Sequence, residues 1–303
     1  MSWKFERVAG PYQGPANGVV WDGAGAAVLF SLMEEQRLMR FDPSSGDTRE
    51  FRKHTHRVSG LAFGRRGELL GCQEGGRRLV EFASDGRMLM VDARLDGKYH
   101  NYPSDLAVDK TGRIWFCDPH SRTLAFGPQF FPPLDHASVL RLENDERNAR
   151  VLRRVTFDTR APRAILLSAD EKTLYVAEGE PAAGFVRELR AYPILEDGSV
   201  APYALLQSFG ADHRGPQRGI EGMCLDVDGN IIAVGGWRRN GPGPSVLVIS
   251  PEGAVLESHP LPADLPNRCC FGGKERDTLY VTTAGGELYA AKTPRCGFDL
   301  SPR

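Results

Sequence analysis

The 303 residues carry 38 basic and 39 acidic side chains, a formal net charge of −1, and so lack the electrostatic footprint of a protein that binds nucleic acid or an anionic membrane. No apolar run approaches the roughly 20 residues a membrane helix needs, and the opening Met1-Ser2-Trp3-Lys4-Phe5-Glu6 has no apolar signal core. Cys72, Cys117, Cys224, Cys269, Cys270 and Cys296 form no CxxC pair, and several sit within apolar strand patterns; reduced, buried thiols in a cytoplasmic protein are expected.

Residues 3–8 alternate apolar and polar like a half-buried strand. A unit of two short apolar runs joined by a tight turn follows and recurs. Asn17-Gly18-Val19-Val20-Trp21-Asp22 leads into Ala27-Val28-Leu29-Phe30, and Ser59-Gly60-Leu61-Ala62-Phe63 into Glu68-Leu69-Leu70-Gly71. The clearest copy is Pro103 to Pro119, where Asp109-Lys110-Thr111-Gly112 forms the turn. Three more copies begin at Arg163, Glu221 and Arg268, giving six at intervals of about 42 to 59 residues. Further strand candidates follow these pairs, such as Gln36 to Asp42 and Thr48 to Phe51. Four strands per repeat predict an all-β, six-bladed propeller forming one domain over 1–303, with residues 3–8 closing the last blade. Long connections fall at 120–136, 179–184 and 235–244; the first, with Phe126, Phe130 and Phe131, and the third, with Trp237, are expected as packed lids.

Register turns repetition into a site. The innermost strands all start at one face of the axis, so Asn17, Ser59, Ser104, Arg163, Glu221 and Arg268 should face one another. The antiparallel second strands end there too, adding Glu74, Asp118 and Glu178, with His120 nearby as a candidate acid or base. Convergent polar groups suggest a small-molecule site. An Arg163–Glu221–Arg268 cluster is expected; as a mere plug it would be costly to desolvate.

At this point the chain resembles the gluconolactonase and regucalcin (senescence marker protein) family of six-bladed propellers. The likeness rests on Gly18 to Asp22, Asn101 to Leu106 with Ile114 to Pro119, Ser168 to Val176, and Cys269 to Lys274 with Thr278 to Thr282. The resemblance implies a lactone-hydrolysing fold with one divalent cation (Ca, Mn or Zn) at the channel mouth, held by a Glu, two Asn and an Asp. The matching positions are Asn17, Ser104, Arg163 and Glu221. Arg163 stands where a ligand should, so a metal here needs Glu221, Asn17 and Ser104 to be supplemented by Asp118, Glu178 or Glu74. The expected function is a metal-altered hydrolase of a lactone or related cyclic ester, an anionic substituent being one that Arg163 or Arg268 could hold. Glu221, Arg163 and Asp118 are its candidate catalytic groups, with the other mouth residues binding substrate. The alternative is a metal-independent anion-binding protein or a non-hydrolytic enzyme.

Overall fold

The computed structural model describes residues 2–91, 93–121, 131–182 and 184–298, and none of these is helical. Six four-stranded antiparallel sheets are arranged as a six-bladed β-propeller. The inner strands are Ala16–Asp22, Val58–Phe63, Asp105–Val108, Pro162–Leu167, Ile220–Leu225 and Pro266–Gly272. Each touches the inner strands of the two neighbouring blades, and blade six touches blade one, so the ring closes. Blades three and six therefore stand opposite one another.

Alternation explains the blades. Inward-facing apolar side chains pack between neighbouring sheets rather than on the axis. Trp115, Val139, Ile165 and Val176, for example, share one cluster across blades three and four. The turns are fixed by buried carboxylates. Asp109 accepts from the Thr111 and Arg113 backbone N–H groups and from the Trp115 indole at 2.9 Å. Asp226 repeats the device with Asp228 and Asn230. Such local acceptors make a short Asp-to-Gly sequence a turn.

Closure follows the expected route with a shifted boundary. The strand Glu6–Ala9 pairs with Leu288–Lys292, while Trp3 lies just outside it. Trp3 is buried and stacks on His259, its ring centroid 4.0 Å away. The anchor is thus one aromatic plug plus a short edge strand.

The 235–244 segment differs from the irregular lid expected. It forms a hairpin, with Ile231–Trp237 continuing blade five and returning as Asn240–Ile249. Gly236 has a positive φ, and a Cβ there would lie 2.1 Å from the Gly243 carbonyl oxygen, so glycine lets the two strands meet. The Trp237 indole N–H closes this hairpin on Asn240. Phe126 and Phe130 lie outside the described residues. Phe131 packs on Tyr99 at 4.2 Å, and its carbonyl accepts from Arg77.

Replacing Trp3 with alanine should lower unfolding free energy by about 3 kcal/mol. Replacing exposed Glu6 should change it by less than about 0.5 kcal/mol. Urea denaturation of the two variants checks whether the plug, rather than the strand's surface, secures the ring.

Candidate active site

A β-bulge sits at the head of five of the inner strands. The register skips at Asn17 and Gly18, at Ser59, at Arg163, at Glu221 and at Asn267. A bulge leaves one residue unpaired and re-aims its side chain. These residues, with Ser104 before the third inner strand, form the mouth. In blade six the bulged residue is Asn267, so Arg268 stands one step deeper than expected. Its equivalents are Gly60, Asp105, Ala164 and Gly222.

That single step decides the electrostatics. Instead of joining Glu221, Arg268 spans the axis to blade three. Its Nε lies 3.4 Å from Asp105 Oδ1, and its Nη2 donates to the carbonyls of Ser104 and Arg163, both at 3.1 Å. Two of the equivalent positions are glycine for a reason: a Cβ on Gly222 would come within 2.7 Å of the Arg268 Cα, and one on Gly60 within 2.8 Å of the Asp105 Cα. Burial raises the Asp105 carboxyl above its ordinary range, against the pull of Arg268.

The partner that Arg268 was expected to be is Arg218, a residue that no sequence pattern singles out. Glu221 Oε1 accepts from Arg218 Nε at 3.1 Å, and Oε2 from Arg163 Nη2 at 3.1 Å. Arg218 is itself fixed by Asn267 Oδ1 at 3.1 Å. Burial pushes the Glu221 carboxyl up, but Arg163, Arg218 and the more distant Arg268 outweigh it and hold it below the usual range. Glu221 in turn raises Arg163. The Arg163 side chain remains 34% exposed. The Asn17 Oδ1 and Ser104 Oγ atoms are buried without a hydrogen-bond partner among the described residues.

The second-strand carboxylates serve the framework instead of joining this pair. Asp118 is buried and accepts from the Asn101 backbone N–H at 2.8 Å. Glu178 accepts from the backbone N–H groups of Arg160 and Ala161 at 2.7 and 2.9 Å; burial raises its pKa, which those bonds oppose. Glu74 accepts from the Ser121 hydroxyl at 2.9 Å and lies 3.9 Å from Arg57. The Ser59 hydroxyl donates to the Pro103 carbonyl at 3.1 Å, and His120 bonds the Leu134 carbonyl at 3.0 Å, tethering the 120–136 connection.

This donor set does not suit a hard divalent cation. Both Glu221 oxygens are taken by guanidinium groups, Arg163 puts a fixed positive charge among the candidate ligands, and the three carboxylates that might supplement them hold loops. No group of three or more His, Cys, Asp or Glu among the described residues is arranged to hold a metal.

The chain is a six-bladed propeller with a bulged, charged ring at one axial mouth. The family described as the SMP-30/gluconolactonase/LRE-like region matches residues 15–285, and the chain belongs to it. It is 24% identical to a gluconolactonase of Zymomonas mobilis, over 89% of this chain and 76% of that protein. It is 26% identical to a pentonolactonase of Haloferax volcanii, over 89% and 81%. A solved gluconolactonase from Xanthomonas campestris shares the fold at a TM-score of 0.79 and 24% identity, over 96% of this chain and 90% of that one.

Removing Arg218 leaves a buried carboxylate with one partner, so Arg218→Met should cost about 3 kcal/mol in chemical denaturation. Because the native Glu221 pKa is depressed, its stabilising contribution is complete above its ordinary value of 4.5 and disappears as pH falls through the native pKa. Glu221→Gln should remove that part of the acid dependence.

Proposed function

We propose that the protein hydrolyses a lactone or related small cyclic ester at the mouth, with the guanidinium of Arg163 doing what a cation does in a metal-dependent lactonase. The observation that carries this reading is the Arg163–Glu221–Arg218 cluster, within a family whose named relatives include lactonases. A guanidinium N–H facing a carbonyl oxygen stabilises the oxyanion that forms when water adds. Arg163 suits this role because Glu221 fixes one nitrogen while about a third of the side chain stays open.

Water attacks the carbonyl carbon and passes a proton toward Glu221. The tetrahedral intermediate collapses with cleavage of the ring C–O bond, and the departing alkoxide takes the proton, giving a hydroxy acid. Glu221 is a weak base, since its pKa is lowered, but it is ionised throughout the neutral range. We read the six blades as one domain. The free cysteines fit a reducing compartment such as the cytoplasm.

A second reading, binding without turnover, is favoured by one fact: both Glu221 oxygens already accept hydrogen bonds. Turnover of aldonolactones, followed by acid release, separates the two. Activity should survive exhaustive chelation. It should be flat above about pH 6 and fall only as Glu221 protonates, below its ordinary 4.5. Arg163→Met should lose roughly 100-fold or more in kcat. Loss on chelation, restored by calcium, manganese or zinc, overturns the guanidinium role. Saturable lactone binding with no turnover establishes the second reading.

A further inference from the structure

The Arg268–Asp105 pair divides the axis, and on the side away from the mouth lies a second cavity of about 670 Å³. All six blades line it, each through the later part of its inner strand, and no mouth-ring residue does so. Its walls are aliphatic and thiol: Leu61, Leu106, Ile165, Met223, Cys224 and Cys270 are among them. Burial pushes the Cys270 thiol up, and the hydrogen bond between Cys224 and Cys269 together with burial does the same for Cys224, so both walls stay neutral. Its far rim is different. Arg65, Lys110 and Arg276 stand there with Glu171, the one acidic lining residue outside the floor among the described residues, and Phe298 lies at the edge. Arg65 is 3.3 Å from Glu171.

An apolar shaft ending in a cationic rim suits a molecule of one polarity pattern. We propose that this end of the channel is a second ligand site for a single-chain amphiphile, an aliphatic monocarboxylate whose chain enters the axis and whose carboxylate stays at the Arg65, Lys110 and Arg276 rim. The volume falls within the range of small-molecule pockets, about 300–1,000 Å³. The floor supports the assignment. Arg268 and Asp105 are already paired, and the Arg268 Nη atoms are given to backbone carbonyls, so the carboxylate is better served at the rim than at depth. Charge at the rim adds attraction that salt screens.

Decanoate is the probe, with decanol and butyrate as the uncharged and short-chain controls, titrated below the micellar range by calorimetry. Trp21 lines the cavity and supplies a fluorescence signal. One decanoate should bind per chain, and both controls should bind at least tenfold more weakly. Lys110→Glu should weaken decanoate roughly fivefold and flatten its salt dependence, while Ala62→Phe, which fills the shaft, should abolish binding. Neither residue touches the mouth, so lactone turnover or binding should be unchanged in both, and the two sites succeed or fail separately. Should Ala62→Phe not fold, the fluorescence change on adding decanoate to the wild type, absent in Trp21→Phe, reads the same occupancy. Absence of saturable binding to the wild type, equal affinity for all three probes, or decanoate displaced by a lactone held at the mouth overturns the proposal.

Discussion

The ion pair between Arg268 and Asp105 is the constraint around which the axis is built. It joins blades that stand opposite each other, and it reaches the backbone carbonyls of two mouth residues, Ser104 and Arg163. An Arg long enough to cross needs its neighbours to be short, and Gly60, Ala164 and Gly222 meet that need at the equivalent positions. A buried pair of this kind is weak evidence for stability in itself, because desolvation offsets much of the attraction. Its consequence is geometric. It separates the mouth from the far cavity and holds Arg163 by its backbone while Glu221 holds it by its side chain.

Above that floor, the proposed chemistry depends on which group carries the positive charge at the centre. Where relatives of this fold are expected to hold a cation with oxygen donors, this chain supplies a guanidinium beside a carboxylate. For the proposed hydrolysis the exchange has a cost, since two arginines keep Glu221 ionised and weakly basic. It also has a benefit, because a guanidinium is always charged and its fork fixes direction. Asp118 and Glu178, carboxylates of the same mouth, have been given over to backbone N–H groups, so the charged chemistry of the site is concentrated in the Arg163–Glu221–Arg218 cluster.

Below the floor, the same six strands present a different surface. One repeat produces both environments because the bulge re-aims a polar side chain only at the strand head, after which ordinary alternation resumes with aliphatic residues. The two ends of one channel thereby acquire distinct chemical characters from a single architectural rule.

The sequence by itself determined the propeller, its six repeats, the closing of the last blade by the chain's beginning, and the convergence of Arg163 with Glu221. Those features follow from alternation and turn chemistry, which are local. Tertiary structure alone decided the third member of the cluster and the identity of the axial pair. The bulge that makes Asn267, rather than Arg268, the ring residue of blade six shifts the register by one position, and a shift of one reverses where a strand side chain points. Arg218 lies outside the strand pattern, three residues before Glu221, and becomes a partner only when Asn267 of the next blade fixes its guanidinium. The employment of Asp118 and Glu178 by distant backbone was likewise invisible, because a carboxylate at a strand end looks the same in sequence whether it meets a substrate or an amide.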